Sequence, residues 1–417
     1  MRVSSLLPKI ARSRLVRLLT KGQFAAYTAG NCLSLLGTWM QRIACSLVVW
    51  DMTHSPFWLG VLAAADLLPT VFVGPIGGAV ADRWDVLKLN KLSQLAIALI
   101  AVLLTAFMYL DLLTLGALIS IIALQGCVIA LGQSARMTIV QELVHRDDIS
   151  TAVAINSMNV NLARLVGPAL AGLLIVQFDV IWVFLLNTLV TIVFVAVLHH
   201  LAPAVKISKT RPSRNVLAEI LDGFRYVGSN HSIRAMLLLL LAGGVFVRAI
   251  AEMLPAFAAQ FSAVPTTGLA VLTSSMAFGS IMAGLTMNTY LSTSRLPHQV
   301  TLGWFLSGCA AMAFALGSSI CILAVFAMLM GYLSSVSLIA TQTFIQLAIP
   351  AALRGRALSV HGLIFRASPS LGALGLGMAS DIFGLAAAAF ASAAVVIVIT
   401  GIFLPSASRM SFRPDDD

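Results

Sequence analysis

Two carboxylates and a few arginines lie deep inside long apolar stretches of this chain, and they are the side chains best suited to do chemistry there. Asp66 and Glu252 are the acids farthest from the ends of their stretches. A carboxylate buried among apolar groups has a raised pKa, so it can bind and release a proton near neutral pH. We therefore predict that Asp66, Glu252 or both serve as proton-coupling residues.

Each of these acids has an arginine within reach, which leaves a second interpretation open. Arg42 is predicted at about the same depth as Asp66, and Arg248 is one helical turn from Glu252. A permanent ion pair would keep the carboxylate ionised, and the role of the pair would then be structural.

Two more arginines, Arg164 and Arg366, are predicted near the middle of their stretches, with no acid close by in the sequence. A charged side chain at that depth is costly and usually marks a functional site. The excess of arginines favours a substrate with a negative charge, such as a catecholate or carboxylate siderophore. Hydrogen bonds from the guanidinium groups to backbone and asparagines are the alternative. The candidate substrate-cavity residues are Arg42, Trp39, Gln41, Arg164, Arg248 and Arg366.

Twelve apolar stretches must position these side chains. Hydrophobic residues make up 59% of the chain and charged residues 10%, whereas a soluble domain has about 25% charged residues. Each stretch approaches or exceeds the ~20 residues that a helix needs to cross a bilayer. The pattern predicts an all-α polytopic membrane protein with twelve transmembrane helices. The stretches are 24–50, 57–80, 92–110, 113–134, 153–177, 180–201, 235–260, 268–288, 298–316, 319–346, 357–379 and 383–404.

Basic residues are distributed unevenly among the connections between these stretches. Every second connection contains no Lys or Arg, whereas the N-terminal segment and the longest loop are rich in both. By the positive-inside rule, both termini are predicted to be cytoplasmic. The net charge of +10 is therefore a sign of topology, and no nucleic-acid partner is expected. The basic N-terminal segment lacks the cleavage site of a removable signal peptide.

The chain is predicted to consist of two six-helix bundles joined by a cytoplasmic linker. The linker has basic ends and an apolar stripe at helical spacing, which indicates a short helix along the inner leaflet or a plain tether. The predicted parts are the first bundle with its basic N terminus (1–201), the linker (202–234), the second bundle (235–405) and a cytoplasmic tail (406–417).

The two bundles carry a weak internal repeat. Residues 138–152 can be laid over residues 343–357 at a constant offset of 205, and the same offset carries Gly167 onto Gly372. Parallel six-helix repeats are a transporter architecture, with the substrate site between the halves near the midplane. The repeat therefore favours transport by alternating access.

No pattern predicts an enzyme, a metal site or a cofactor. The chain has no Gly-rich loop that ends in Gly-Lys-Ser/Thr, so it is not expected to hydrolyse ATP. His199 and His200 have no Cys or acidic residue near them in the sequence, and the five cysteines fall inside predicted spans as small apolar residues.

Four ordered segments can be compared with a known family. They are Gly74-Pro75-Ile76-Gly77-Gly78-Ala79-Val80-Ala81-Asp82-Arg83-Trp84, Leu36-Gly37-Thr38-Trp39-Met40-Gln41, Asn161-Leu162-Ala163-Arg164-Leu165-Val166-Gly167-Pro168 and Leu353-Arg354-Gly355-Arg356-Ala357-Leu358. Together they resemble the major facilitator superfamily, and within it the enterobactin-exporter-like and macrolide-efflux-like permeases. The resemblance covers the whole chain. It implies a secondary transporter, typically a proton-driven exporter, that acts as a monomer in the bacterial cytoplasmic (inner) membrane.

The same resemblance implies a cytoplasmic gate at the end of the second span. Gly74 and Gly78 share one face and would let the eleventh helix approach closely. Asp82 and Arg83 would latch this side shut through charges or a helix terminus of the other half. The family pattern continues with a glycine and two basic residues, whereas this chain continues with Asp85, Val86 and Leu87. A helix end that only packs is the alternative. Further gate candidates are Arg136, Arg354 and Arg356.

The fifth span carries Gly167, Pro168 and Gly172, which resemble the glycine–proline motif of exporters in this superfamily. A proline inside a helix removes a hydrogen bond and allows a bend. The motif favours antiport, and a packing kink is equally compatible with it.

Taken together, these features predict proton-coupled export of a small amphipathic or anionic molecule, such as a siderophore or a drug-like compound. An uptake symporter of the same fold is the alternative within transport, because the fold does not set direction. A membrane scaffold or sensor without transport is the alternative outside it.

Overall fold

The computed structural model describes residues 17–20, 22–201, 224–290, 295–349 and 351–406, and this part of the chain is helical without a strand. Its helices are α1 (Gln23–Thr53), α2 (Pro56–Leu67), α3 (Pro69–Arg83), α4 (Val86–Tyr109), α5 (Leu115–Glu142), α6 (Ile149–Gln177), α7 (Val180–His199), α8 (His231–Phe246), α9 (Leu254–Phe261), α10 (Pro265–Tyr290), α11 (Leu296–Ala315), α12 (Ile320–Ala348), α13 (Ala351–Phe383) and α14 (Leu385–Phe403). The prediction of an all-α polytopic membrane protein is confirmed.

Ten segments of the described structure are long and apolar enough to cross a membrane. They coincide with ten of the twelve predicted stretches. The remaining two stretches, the ninth and the eleventh, correspond to α11 and α13. Both of these helices carry ionisable groups within them, such as His298 in α11 and Arg366 in α13, which lowers their apolar character.

Two of the spans are interrupted partway along their length. The second span breaks between α2 and α3, where Pro69 starts a new helix and cannot donate its backbone nitrogen to the helix before it. The seventh span changes between α8 and α9 into a 3₁₀ helix over Arg248–Met253. Mid-span 3₁₀ turns and broken helices often accompany binding sites and hinges.

Packing divides the chain into two compact units. Unit 1 contains Met1–Cys45 and Phe72–Ser213, and unit 2 contains Ser46–Val71 and Arg214–Asp417. The end of the first span and the first half of the second span therefore group with the later half of the sequence. Most of the predicted linker helix, residues 202–223, lies outside the described residues, and the predicted bundle boundaries stay a prediction.

In the core of unit 1, a small residue leaves room for a large aromatic side chain. Tyr27 lies edge-on to Phe194 with 5.7 Å between the ring centroids. Gly30 leaves room for the same Phe194 ring, since a Cβ at this glycine would lie 2.8 Å from the ring. At one edge of the unit, the Arg17 guanidinium donates to the Asp148 carboxylate at 2.6 Å.

The core of unit 2 depends on glycines that face backbone. A Cβ on Gly279 would collide with the Met328 carbonyl, and a Cβ on Gly331 would collide with the Met276 carbonyl, so α10 and α12 approach each other along their backbones. Helix α2 packs against α13 in the same way. A Cβ on Gly60 would lie 2.5 Å from the Ala373 carbonyl oxygen.

Candidate functional site

Two arginines of unit 1 share one tryptophan ring. The Arg42 guanidinium carbon lies 5.4 Å from the centroid of Trp39, one turn away on α1. The Arg164 guanidinium carbon lies 5.1 Å from the same ring and comes from the middle of α6. A guanidinium over an indole face is held by the ring quadrupole. Three of the predicted cavity residues are therefore brought together here.

The glycine–proline motif explains how α6 approaches this ring. A Cβ on Gly167 would lie 2.7 Å from the Trp39 Cβ and 3.4 Å from the Leu36 carbonyl oxygen. Because Gly167 has no side chain, Trp39 can pack against α6 at this position. Arg164 lies one turn from Gly167 on the same helix, so its guanidinium reaches the Trp39 ring. Pro168 and Gly172 are buried in the same helix, which continues past the proline. The motif serves to place Trp39 and Arg164 together.

Gln41 has a different environment from its neighbours Trp39 and Arg42. Its side chain is only 2% exposed. The Gln41 Nε2 donates to the Gln125 Oε1 at 2.8 Å, and the Asn187 Nδ2 donates to the Gln41 Oε1. This network joins α1, α5 and α7 inside unit 1, so Gln41 serves packing in the described conformation. A cavity role for Gln41 has no support from this geometry.

In unit 2, Arg248 is fixed on α13. Its guanidinium donates to the Phe365 carbonyl oxygen at 2.8 Å and lies 4.4 Å from the centroid of the Phe365 ring. Arg248 and Glu252 lie in the 3₁₀ turn, so the expected continuous α-helix across them is wrong. A 3₁₀ helix has three residues per turn, so residues four apart lie farther around the axis than in an α-helix. Both residues have an interaction partner, and the pairing of Arg248 with Glu252 stays a prediction.

The second predicted carboxylate also lies at a helix interruption. Asp66 is the penultimate residue of α2, just before the break at Pro69. Helix α2 packs against α13 and against the 3₁₀ turn that carries Glu252. Unit 2 thus contains both predicted proton-coupling residues, and neither is without an interaction partner. Arg366 is half-buried midway along α13.

One ionisable residue of unit 2 was missed by the sequence analysis. His361 in α13 is 8% exposed, and its Nε2 has no hydrogen-bond partner among the described residues. The imidazole stacks on Phe365, with 6.2 Å between the ring centroids and 19° between the ring planes. A histidine inside a predicted span was the available signal, because ionisable groups at that depth are rare.

The residues predicted for the cytoplasmic gate are only partly described. A Cβ on Gly74 would meet no heavy atom within 4 Å in the described part of the chain, and one on Gly78 would meet only the Ser134 Oγ, at 3.8 Å. The close contact is made by Gly77, where a Cβ would lie 2.7 Å from the Ala130 carbonyl oxygen of α5. Among the described residues no helix approaches Gly74 or Gly78 closely, and their part in a cytoplasmic gate stays a prediction.

The charged gate candidates are distributed as follows. Arg83 is exposed at the end of α3, and Arg136 is half-buried in α5, where its carbonyl oxygen accepts from the Tyr27 hydroxyl at 3.5 Å. The side chains of Asp82, Arg354 and Arg356 lie outside the described residues. Their gate role stays a prediction.

A polar contact that was not predicted from the sequence joins the start of α2 to the end of α13. Ser55, which precedes α2, donates its hydroxyl to the Asp381 carboxylate at 2.7 Å. Next to it, a Cβ on Gly377 would lie 2.6 Å from the Pro56 carbonyl oxygen. The two helices are therefore in backbone contact at this end as well as at Gly60.

The described residues contain no cluster of His, Cys, Asp or Glu that could hold a metal ion. Residues 17–413 match the model of a family described as transmembrane secretion effector. A staphyloferrin A transporter of Staphylococcus aureus is 23% identical over 381 residues, which cover 90% of this chain and 94% of that protein. The enterobactin exporter EntS of Shigella flexneri is 28% identical over 358 residues, which cover 82% of this chain and 81% of that protein.

Solved structures agree on the fold. A nucleoside transporter, NupG, superposes with a TM-score of 0.76 at 13% identity and covers 91% of this chain and 98% of its own. A bacterial homologue of the lysosomal transporter Spinster, in an inward-facing and unoccupied conformation, superposes with a TM-score of 0.74 at 15% identity, over 95% of this chain and all of its own. With the helical architecture described above, these likenesses show that the chain belongs to the transmembrane secretion effector family of the major facilitator superfamily, whose members are multi-pass membrane transporters.

Proposed function

We propose that this protein exports a small anionic molecule of the siderophore class, in exchange for protons, by alternating access. The relatives named for staphyloferrin A and for enterobactin support the substrate class. The glycine–proline motif on α6 supports export. Because the resemblance extends over most of both chains, the same class of cargo is the simplest assignment for this chain.

The observation that carries the proposal is the Arg164 guanidinium on the Trp39 ring. Arg164 lies about 20 Å from either end of α6, at 1.5 Å per residue, and it is exposed. The helices of unit 1 carry Arg42, Arg136 and Arg164 away from their ends but carry Asp and Glu only at their ends. An exposed guanidinium in lipid would be costly, so a water-filled path is the favourable surrounding. Such a path with this charge attracts an anion.

The same pair of groups can recognise the shape of the anion. A guanidinium binds a carboxylate or a catecholate through two parallel hydrogen bonds, which lysine cannot do. The Trp39 ring attracts the Arg164 guanidinium without accepting an ordinary hydrogen bond from it, so the N–H groups can bind a ligand. Trp39 would therefore orient the arginine, and Arg164 would contact the substrate.

Proton coupling is assigned to unit 2. Asp66 and Glu252 are the acids at interrupted helices, and interrupted helices are where transporters of many folds bind their coupling ions. In proteoliposomes, a variant with both Asp66→Asn and Glu252→Gln should lose transport driven by a pH gradient and keep substrate exchange at equal pH. Full gradient-driven efflux in this variant would contradict the assignment.

The substrate class can be tested with the full-length protein in proteoliposomes. The probes are the carboxylate siderophore staphyloferrin A and the neutral drug chloramphenicol. Arg164→Gln should lower siderophore transport about 10- to 100-fold, the value of a charge-assisted hydrogen bond, and Arg164→Lys should lower it less. Arg146→Gln, on an exposed connection, is the matched control.

The outcome is decided by the ratio of siderophore transport to chloramphenicol transport. If Arg164→Gln lowers both probes equally, the arginine has a structural role and the anion assignment is wrong. If wild-type protein accumulates the siderophore on the side that the protons enter, transport is symport and the proposed direction is wrong.

A further inference from the structure

The buried imidazole of His361 is a feature of unit 2 to which the proposed function gives no role. The ring is 8% exposed, and its Nε2 has no hydrogen-bond partner among the described residues. Buried polar atoms in proteins are nearly always paired, and an exception calls for an explanation. Position 361 lies ten residues into α13, roughly 15 Å along the helix axis, so water at the helix end does not reach it directly.

The protonation state of the ring follows from this geometry. A neutral imidazole has one N–H donor and one acceptor nitrogen, whereas an imidazolium has two N–H donors that both need acceptors. The Nε2 has no acceptor near it in the described part of the chain. The described conformation therefore accommodates the neutral ring, and a proton on Nε2 requires a rearrangement that brings an acceptor or water to it.

The ring is also connected to the interrupted part of the seventh span. His361 stacks on Phe365, and the Arg248 guanidinium lies over the same Phe365 ring and donates to its carbonyl oxygen. A charge on His361 would therefore appear next to the cation that anchors the 3₁₀ turn to α13. Two positive charges on one aromatic residue repel each other, which favours a conformation in which Arg248 has moved.

The other charged groups around α13 are few. Asp66 comes from α2, and Glu252 and Arg248 come from the 3₁₀ turn. Helix α13 itself carries Arg366 and Asp381, and near its start Arg354 and Arg356, whose side chains lie outside the described residues. Helix α8 adds His231 and Arg234 at its first turn. Helices α12 and α14, which also pack on α13, contain no Asp, Glu, His, Lys or Arg. Neither of these two helices therefore offers an ionic partner to the ring.

We propose that His361 is a proton-binding site of this transporter, and that its protonation releases Arg248 from Phe365 and so drives the change of conformation. Nε2 takes up one proton when the ring opens to the extracellular side, and it gives the proton to water on the cytoplasmic side when the described arrangement reforms. Histidine suits this task because the imidazole changes charge closer to neutral pH than the side chains of Asp, Glu, Lys or Arg. The proposal rests on proton-coupled transport and names a further proton-binding residue beside Asp66 and Glu252.

The test uses the full-length protein in lipid nanodiscs and needs no substrate. A single cysteine replaces Met137, an exposed residue of α5, in a variant that lacks the native cysteines, and its maleimide labelling rate is measured from about pH 5 to 8. His298→Gln is the matched control, because His298 is an exposed histidine on α11. Each labelling rate is divided by the labelling rate of this control at the same pH. If the pKa of a group differs by one unit between two conformations, protonation of that group changes the ratio of the two conformations about tenfold.

We expect the wild-type labelling rate to change about tenfold over this range, and the His361→Gln rate to stay at the value of the neutral form. His361→Arg should stay at the value of the protonated form. A pH response in His361→Gln equal to wild type would overturn the proposal. Because this assay contains no siderophore, the labelling result can be interpreted even if the protein does not transport siderophores.

A second measurement guards against a variant that fails to fold. Solid-state NMR of wild-type protein with ¹⁵N-labelled histidine reports the charge of each ring, and the His361 signal is identified by its absence in His361→Gln. It should shift from neutral to protonated as the pH falls, together with the labelling change. A His361 ring that stays neutral while the labelling changes would contradict the proposal.

Discussion

Gly167 in unit 1 and Gly372 in unit 2 are 205 residues apart and make equivalent contacts with different partners. Gly167 of α6 packs against α1, and Gly372 of α13 packs against α8, so each glycine contacts the first helix after its half begins. In unit 1 the space is filled by the Trp39 side chain. In unit 2 it is filled by the backbone of Val245, with which a Cβ on Gly372 would collide.

The difference indicates how the two units divide the work. A side chain that fills the space can hold another group, and Trp39 holds Arg164 and Arg42. The Val245 backbone, which fills the corresponding space in unit 2, holds no further group. It fixes α8 just before that helix ends at Phe246 and the 3₁₀ turn begins. We interpret unit 1 as the part that presents charge to the ligand and unit 2 as the part that bends.

The largest expected effect is on the fold of unit 2. Gly372→Val would push two methyl groups into the Val245 backbone, which cannot move without displacing α8, so we expect a loss of more than about 3 kcal/mol. The measurement is the thermal unfolding midpoint of purified protein. Gly375→Ala is the control, since a Cβ there meets no heavy atom within 4 Å among the described residues. Equal midpoints for the two variants would mean that the contact is not close in the protein.

A smaller effect is expected in the amide network of unit 1. Gln41→Leu would leave the Gln125 oxygen and the Asn187 amide without their buried partners. An unsatisfied buried polar group costs about 1–3 kcal/mol, so the free energy of unfolding should fall by this order. Gln177→Leu, at the exposed end of α6, should change it little. A transport defect without loss of stability would instead assign Gln41 to the substrate path.

The smallest effect on stability should accompany a clear effect on transport. Gly167→Ala adds one methyl group close to the Trp39 Cβ, so the ring must shift and Arg164 with it. We expect about 1 kcal/mol of destabilisation and about a tenfold loss of siderophore transport, because small displacements of a binding group are costly. Gly362→Ala is the control, since its Cβ would meet nothing within 4 Å in the described residues. Unchanged transport would separate the motif from the substrate site.

The membrane spans were predictable because hydropathy depends only on local composition. Ten of the predicted stretches recur as apolar spans with boundaries that differ by up to eight residues. The break before Pro69 was visible as a proline, but a hydropathy window does not distinguish a kinked span from a broken one. The 3₁₀ turn at Arg248 was not visible in the sequence, and Arg248 within it contacts Phe365, 117 residues away.

The candidate site was predictable as a set of residues and less so as an arrangement. Trp39, Arg42 and Arg164 were identified by type and depth, but the sequence does not show that they share one ring. Gly167 was read as a possible kink, and its role as the space for Trp39 depends on the neighbouring helix. His361 was passed over because its surroundings in the sequence are apolar, and only the packing of α13 shows that its Nε2 has no partner.

The contact between α2 and α13 has a consequence for biosynthesis. Gly60 meets Ala373, and Gly377 meets Pro56, so the second span finds its backbone partner about 300 residues later in the chain. At 5–20 residues per second, the ribosome needs roughly 15–60 s to make that partner. During this delay the glycine face of α2 is uncovered, and a truncated chain that ends before α13 never covers it. Quality-control proteases of the membrane should therefore degrade such truncated chains faster than chains that lack only α14.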